Sequence, residues 1–341
     1  MQYCFNDLAY AHGVPDAQGR LKAQNADFRV DEIMPIETSG EGEHLWLKIQ
    51  KDGANTDWVA QQLAKAAGLK SMAVSYAGMK DRHAITTQWF SLHLPGMDDP
   101  DFSGLPIDEF NIIEQARHNR KLKRGALSGN RFQIRITDLT ANTEKLNTRL
   151  NEIKQNGVPN YFGEQRFGRD MGNLSKAEKM FSRALKKISK QHRGLYLSSA
   201  RSWIFNQILS ARIQQNNWLT PISGDVFMLN GKSACFVDDD TDALRQRLIN
   251  KEINITACLW GEGDSMAMAE AVALEQSVAA TLDVFAKGLE GARLKQERRS
   301  MRLVPSNMEW EMSDNVLNLS FDLPAGTFAT MVLRECVGIK I

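Results

Sequence analysis

Apolar and polar residues alternate along several short segments of the chain. This two-residue period is typical of strands that bury one face, and it predicts strands at residues 28–32, 44–50, 88–94, 132–136 and 315–323. A further strand is predicted at residues 72–76 from its β-branched and aromatic composition. The chain is therefore expected to contain a sheet whose strands are far apart in sequence.

Other segments repeat their apolar residues at the spacing of an α-helix. Asn55 and Thr56 can cap a helix that continues through Ala66 and ends at Gly68. The same spacing predicts helices at residues 144–155, 200–216 and 328–335, and one or two long helices at 265–303. Because strands and helices are interleaved, the sequence predicts a mixed α/β layout.

Length and composition are those of an ordinary globular protein. A chain of 341 residues can form two domains, and contents of 43% hydrophobic and 24% charged residues are typical of soluble proteins. The net charge is only +1, so a polyanionic partner has to be sought in local clusters of charge. No run approaches the roughly 18 apolar residues of a membrane span, and no leader pattern is visible. We therefore expect a cytoplasmic protein that has no membrane partner.

A charged loop at residues 77–87 separates two of the predicted strands. Within it, Lys80 and Arg82 flank Asp81, and nearby positive charge favours an ionised carboxylate. Gly78 allows backbone angles that other residues avoid. Asp81 is therefore a candidate nucleophile or base. The alternative is an ordinary hairpin loop whose charges are solvated.

A run of basic residues between positions 117 and 132 contains no acidic residue. Lys and Arg side chains neutralise phosphates and release counterions, and glycines such as Gly125 let the backbone follow a nucleic acid. The run predicts a nucleic-acid contact. The alternative is a solvated charged face.

Several motifs in the chain resemble those of the TruD family of tRNA pseudouridine synthases. The pattern Gly-x-Lys-Asp-x-x-Ala-x-Thr-x-Gln is matched at every fixed position, by Gly78, Lys80, Asp81, Ala84, Thr86 and Gln88. Shorter stretches at residues 27–32, 129–132, 158–168 and 323–330 are similar to further motifs of the family, in the family's order. The resemblance covers nearly the whole chain.

The resemblance implies an α+β fold in two domains. Residues 1–155 and 303–341 would form a discontinuous pseudouridine-synthase catalytic domain, built on a largely antiparallel sheet with flanking helices. Residues 156–302 would form an inserted α/β domain, and a cleft would lie between the two.

The resemblance also implies roles for polar residues. Asp81 would be the catalytic nucleophile, and its neighbour Lys80 would keep the carboxylate charged or lie beside a phosphate. Lys22 would approach a phosphate, and Asn130 would hydrogen-bond the substrate.

Three phenylalanines would contact the target nucleotide in the same way. Phe28 would stack on it, Phe132 would pack beside its base, and Phe328 would contact it from the C-terminal part of the chain. For each of these side chains, packing in the core is the alternative.

The implied reaction needs no redox cofactor and no metal ion. Pseudouridine formation breaks the bond from C1′ to N1 of uridine and joins C1′ to C5, so no atoms enter or leave. Asp81 could attack C1′ or C6, or remove the C2′ proton, and the sequence does not choose among these routes. The implied substrate is tRNA, at the uridine of position 13, and no obligatory protein partner is inferred.

Two other functions are open at this stage. The chain could be a non-catalytic module that binds or folds tRNA, in which Asp81 is structural. It could also be an RNA N-glycosylase or a nuclease that uses the same carboxylate.

Overall fold

The computed structural model describes residues 3–105, 108–185, 187–238 and 241–340. In chain order, the strands are β1 (Gln18–Leu21), β2 (Phe28–Ile33), β3 (His44–Asp52), β4 (Val74–Tyr76), β5 (Ile85–His93), β6 (Phe110–His118), β7 (Gly129–Thr140), β8 (Val158–Pro159), β9 (Val226–Leu229), β10 (Cys235–Val237), β11 (Ile253–Leu259), β12 (Glu297–Ser300), β13 (Arg302–Leu303), β14 (Ser306–Ser313), β15 (Val316–Pro324) and β16 (Gly338–Lys340). The helices are α1 (Thr56–Ala66), α2 (Thr143–Asn156), α3 (Gly172–Phe181), α4 (Lys190–Gln214), α5 (Asp242–Ile249), α6 (Ala269–Thr281), α7 (Asp283–Gly291) and α8 (Ala329–Cys336). Within these described residues, no helix combines the length and the apolar character needed to cross a membrane.

The chain divides into two compact units. The first, called the sheet unit here, comprises Asp16–Leu150, Pro305–Ala329 and Cys336–Ile341. The second, the helix-rich unit, comprises Met1–Pro15, Asn151–Val304 and Thr330–Glu335. Each unit is therefore assembled from segments that are discontinuous in sequence. The domain boundaries expected at residues 156 and 302 stay a prediction.

One large sheet dominates the sheet unit. Its main path runs β14-β15-β7-β2-β5-β3-β6, while β4 pairs with β5, and β1 pairs with both β7 and β16. The pairs β2 with β5 and β1 with β16 are parallel, and the other pairs are antiparallel. The predicted α+β class with a largely antiparallel sheet is confirmed.

A hydrophobic core holds helix α1 against this sheet. Leu45, Leu47 and Ile49 alternate along β3 and are buried together with Val59 of α1. Burying an apolar side chain of this size contributes about 1.5–3 kcal/mol relative to leaving it in water. The core therefore fixes the position of α1, whose first residue is Thr56.

The predicted strands and shorter helices are confirmed to within a few residues. Strands β4 and β5 flank the charged loop and pair with each other, with Tyr76 opposite Phe90. Helix α2 covers the segment predicted at 144–155. Helix α8 begins at Ala329, so Phe328 lies just before the helix rather than in its first turn.

Helix α4, in the helix-rich unit, is longer than predicted. It begins at Lys190 rather than at residue 200, because Ser189 caps it by accepting a hydrogen bond from the backbone N–H of His192. In the same unit, β10, β9, β11 and β12 form an antiparallel sheet, and β13 pairs with β8.

The prediction of helix throughout residues 265–303 is wrong beyond residue 291. Helices α6 and α7 form as expected, but the chain then continues as β12 and β13. In β12, Arg298 donates hydrogen bonds to Glu275 of α6 and to Thr256 of β11. These contacts join segments that are distant in sequence, so helical periodicity alone gives no sign of them.

Candidate active site

The loop that carries Asp81 is fastened to its surroundings by a chain of hydrogen bonds. The amide of Gln88, on β5, donates to the carbonyl of Gly78 over 3.1 Å. The Thr56 hydroxyl donates to Oε1 of Gln88 over 2.9 Å and accepts from the backbone N–H of Lys80 over 3.1 Å. The residues on the N-terminal side of Asp81 are thus held against both α1 and β5.

Lys80 is bound to a buried carboxylate. Its Nζ lies 2.7 Å from Oε1 of Glu32, and the two side chains are only 7% and 1% exposed. The other carboxylate oxygen of Glu32 accepts a hydrogen bond from the backbone N–H of Trp89 over 2.9 Å. The Lys80 ammonium therefore anchors the loop to β2 and β5. The role predicted for Lys80 toward Asp81 or a phosphate stays a prediction.

Lys22 connects two of the other predicted site residues. Its Nζ lies 3.1 Å from Oδ2 of Asp81 and 4.1 Å from the centre of the Phe28 ring. The Asp81 side chain is 45% exposed, and that of Lys22 is 28% exposed. The backbone next to Asp81 is thus held by hydrogen bonds, while its carboxylate is accessible to solvent.

The predicted aromatic residues on β2 and β7 lie in a row on one face of the sheet. The rings of Phe28 and Phe132 meet edge to face, with their centres 6.1 Å apart, and Phe132 lies 5.5 Å from Phe321 of β15. Phe28 is 3% exposed and Phe132 is 8% exposed. Both side chains pack in the core of this structure, and their contact with a nucleotide stays a prediction.

Asn130 lies at the start of β7, between two neighbouring strands. It is opposite Glu32 of β2 and opposite Leu323 of β15. Its side-chain oxygen Oδ1 is buried and has no hydrogen-bond partner among the described residues. A buried acceptor without a partner costs about 1–3 kcal/mol, so this oxygen would gain from a donor supplied by a ligand.

Phe328 belongs to the segment that follows β15. Its side chain is half-buried, and the turn before it is tied to the start of β7 by a hydrogen bond from the Ala325 N–H to the Ser128 carbonyl, 3.1 Å long. A Cβ on Gly129 would lie 2.4 Å from the carbonyl oxygen of Leu323, so only glycine permits the approach of these strands. The segment of Phe328 is therefore joined to the end of β7 that carries Asn130.

Comparison with known proteins shows the family of this chain. A profile described as tRNA pseudouridine synthase D (TruD) matches residues 5–173 and 169–336 of the chain. The chain belongs to the TruD family. It is 47% identical over 335 residues to the tRNA pseudouridine synthase D of Hydrogenovibrio crunogenus, covering 98% of this chain and 97% of that protein. It is 48% identical over 330 residues to the tRNA pseudouridine synthase D of Aeromonas hydrophila, covering 96% and 93%.

The fold of the TruD family is also found in a solved structure. A crystal structure of a protein assigned as tRNA pseudouridine synthase D (TruD) from Methanosarcina mazei superimposes with a TM-score of 0.75. The two chains are 23% identical, and the match covers 96% of this chain and 95% of that one. At this identity the likeness concerns the fold.

Lys51 contacts the loop of Asp81 but was not among the predicted residues. Lys51 follows Leu45, Leu47 and Ile49 on the inward face of β3 and is fully buried, with 0% exposure. Its ammonium donates a hydrogen bond to the backbone carbonyl of Asp81 over 2.7 Å. The available signal was a lysine at a position where the alternation requires an apolar residue.

The basic run predicted to contact nucleic acid packs beside the same loop. The Gly125 N–H donates to the Ala77 carbonyl over 2.8 Å, and Leu122 is buried in a small cluster with Ala77 and the two tryptophans Trp46 and Trp89. The exposed side chains of the run therefore project from a segment fixed next to residues 77–84.

A groove of about 570 Å³ lies beside this segment. It is lined by Lys121, Lys123 and Arg124, and by Tyr76 at the end of β4. The Arg124 guanidinium lies 5.9 Å from the centre of the Tyr76 ring, whose hydroxyl donates to the carboxylate of Asp57. The groove thus combines three cationic side chains, one carboxylate and an aromatic ring.

Proposed function

We propose that this chain converts a uridine of tRNA to pseudouridine, with Asp81 as the nucleophile and the uridine at position 13 as the target. The observation that carries the proposal is the position of the Asp81 carboxylate, which is half-exposed and paired with Lys22 beside the Phe28 ring. Membership of the TruD family, in which relatives carry the name tRNA pseudouridine synthase D, supports the reaction and the substrate.

The proposed reaction requires different contributions from the groups around the target nucleotide. The bond from C1′ to N1 breaks, a bond from C1′ to C5 forms, the C5 proton leaves, and N1 gains a proton. Asp81 attacks C1′ or C6, or removes the C2′ proton, and each route requires an ionised carboxylate that the nucleotide can reach. The buried Oδ1 of Asn130 accepts a hydrogen bond from a sugar hydroxyl or from a base N–H.

A uridine in folded tRNA has to leave its stack before Asp81 can reach it. Unstacking costs a few kcal/mol, and stacking on an aromatic side chain offsets this cost by roughly 1–3 kcal/mol per base. In the present structure the Lys22 ammonium lies over the Phe28 ring. We therefore assign to Lys22 a movement toward a phosphate when the base arrives, which uncovers the ring and frees the Asp81 carboxylate.

The groove beside the loop is the proposed path of the flanking RNA. Lys121, Lys123 and Arg124 are exposed, as expected of side chains that neutralise phosphates. Because the Gly125 N–H is bonded to the Ala77 carbonyl, the segment that carries these cations lies next to the loop of Asp81. Phosphates bound there would set the register in which a nucleotide meets the carboxylate.

The test compares wild type with Asp81→Asn on an unmodified tRNA transcript. Pseudouridine is mapped with a chemical adduct that stops reverse transcription, and a second transcript carries cytidine at position 13. Asp98→Asn, which alters an exposed carboxylate in the loop after β5, is the matched control. We expect one modified site with wild type and with Asp98→Asn, and none with Asp81→Asn or with the cytidine transcript.

Other results would select another function. If wild type and Asp81→Asn bound tRNA equally and neither made pseudouridine, the chain would be a non-catalytic RNA-binding module. Free uracil or a cleaved strand would indicate an N-glycosylase or a nuclease. Product from Asp81→Asn would keep the reaction and remove the assignment of Asp81 as nucleophile.

A further inference from the structure

Lys51 is an unusual residue for the interior of a sheet. It lies on β3 between Thr86 of β5 and Phe110 of β6, and none of its surface is exposed. A buried ammonium loses its hydration, so lysines are almost never fully buried unless another group pairs with them. A role in the site would explain why an apolar residue does not occupy this position.

The Lys51 ammonium supports the main chain of Asp81 rather than its side chain. Nζ donates to the Asp81 carbonyl over 2.7 Å, while the carboxylate of the same residue extends to Lys22. On the two sides of Asp81, the Lys80 N–H donates to Thr56, and the Arg82 guanidinium donates to the Gly53 carbonyl. Lys51 thus contacts the peptide carbonyl of Asp81 itself.

The charged groups that face the Lys51 ammonium come from the loop and from its own strand. Asp81 and Asp52 attract it, and Lys80 repels it. Burial outweighs these charges and lowers the pKa of Lys51 from 10.5 to about 8. The ammonium is therefore largely protonated at pH 7 and loses its proton within a range where tRNA and protein can both be assayed.

We propose that Lys51 is a positioning residue, whose charged hydrogen bond to the Asp81 carbonyl aims the Asp81 carboxylate at the target nucleotide. The proposal rests on the proposed function of Asp81. A displacement of about 1 Å in a reacting group can lower a rate about 100-fold, so a single contact to the main chain of the nucleophile is sufficient to matter. A charged donor makes a hydrogen bond roughly twice as strong as a neutral one.

Two consequences separate this role from a purely structural one. Loss of the Lys51 proton weakens the bond to the Asp81 carbonyl, so the rate of the chemical step should fall as the pH rises through about 8. Replacement of the ammonium by an apolar group of similar length should remove that dependence. The same replacement removes the desolvation cost of a buried charge but leaves the Asp81 carbonyl without its donor, so the two effects oppose each other and the melting temperature should change little.

The experiment measures single-turnover pseudouridine formation by wild type, Lys51→Met and Lys48→Met between pH 6.5 and 9.5. Lys48 lies on the same strand with a partly exposed side chain paired to Glu114, so its variant is the matched control. For Lys51→Met we expect a rate at pH 7 lower by roughly 10- to 100-fold, with unchanged affinity for tRNA and no alkaline decline. Wild type and Lys48→Met should both decline above about pH 8.

Three results would overturn the proposal. In the first, Lys51→Met has the rate and pH profile of wild type. In the second, it loses melting temperature and tRNA affinity together with its rate, as a structural residue would. In the third, which needs no variant, wild type shows no decline between pH 7 and 9. A wild type that forms no pseudouridine at any pH would instead refute the proposed function, and this inference with it.

Discussion

The ammonium of Lys22 lies 4.1 Å from the centre of the Phe28 ring. The same ammonium is 3.1 Å from Oδ2 of Asp81. One cation therefore contacts both Asp81 and Phe28, the two residues to which the proposed reaction gives the nucleophile and the stacking surface. If the target base stacks on Phe28 as proposed, it would occupy the space of this ammonium, and binding of the nucleotide should be coupled to movement of Lys22.

A Lys22→Met variant tests whether the Lys22 ammonium binds a phosphate of the tRNA. If Lys22 moves to a phosphate, the logarithm of the tRNA binding constant should depend on the logarithm of salt concentration with a slope smaller by roughly one. Because the ion pair with Asp81 is partly exposed, its loss should change the free energy of unfolding by less than about 1 kcal/mol. Binding titrations at four salt concentrations, together with urea unfolding, give both quantities. An unchanged slope would place Lys22 away from phosphate.

Glu32 should contribute strongly to stability, because its buried carboxylate is the counter-charge of a buried ammonium. Its side chain is 1% exposed and holds Lys80, so Glu32→Ala leaves a buried ammonium without its counter-charge. Removal of one member of a buried pair destabilises by about 3–5 kcal/mol. Urea unfolding of Glu32→Ala, compared with the double variant Glu32→Leu with Lys80→Met, separates the unpaired charge from lost packing. Equal destabilisation of the two would contradict this explanation.

Asp322 should make stability depend on acidic pH. Arg131 donates to both of its carboxylate oxygens, over 2.8 and 2.9 Å, and Asn307 donates to one of them. The hydrogen bonds from Arg131 and Asn307 and the charge of Arg131 lower the pKa of Asp322 below its ordinary value of 3.8. This contribution is therefore present above the unfolded pKa and is lost as the pH falls through the folded pKa.

The corresponding variant is Asp322→Asn. It should be less stable than wild type at neutral pH, and the difference should shrink as the pH falls below about 4. Thermal melts between pH 3 and 7 measure the difference. A gap that stayed constant over this range would show that packing, rather than charge, is lost in the variant.

The basic run should account for part of the salt dependence of tRNA binding. The slope of the logarithm of the tRNA binding constant against the logarithm of salt concentration should be smaller by roughly one to two in Lys121→Ala with Lys123→Ala, because each lysine neutralises about one phosphate. The matched control is Lys145→Ala with Arg149→Ala, which removes two cations from α2. Equal slopes for the two double variants would remove the run from the RNA-binding surface.

Much of the sheet unit could be predicted from local pattern. The alternation of Leu45, Leu47 and Ile49 indicates one buried face, and the bounds that it predicts for β3 are nearly the observed ones. The charged loop between β4 and β5 could be predicted in the same way, because two strong strand patterns bracket it. The prediction failed at residues 292–303, where arginines that resemble a helix surface instead lie in strands and bond to partners distant in sequence.

The site residues, too, differ in whether the sequence alone predicts them. Asp81 stands out in the sequence because its motif is contiguous, and Lys22 and Phe28 could be added through resemblance. The alternation along β3 marks Lys51 as a buried position, but its contact with Asp81 could not be predicted, since that contact depends on the pairing of β3 with β5 and β6 and on a loop 30 residues further along. Register between strands, which a single strand does not encode, decides which polar side chain meets which loop.

The pairing of β7 with β15 has a consequence for biosynthesis. The two strands are adjacent in the sheet, yet residues 141–315 separate them in the chain. Pairing across so long a separation is slow, since the loop must close before the contacts can form. A nascent chain therefore carries β7 with one edge unpaired while all of the intervening residues are synthesised. Until β15 is made, the backbone of the segment that contains Asn130 lacks its partner on that edge.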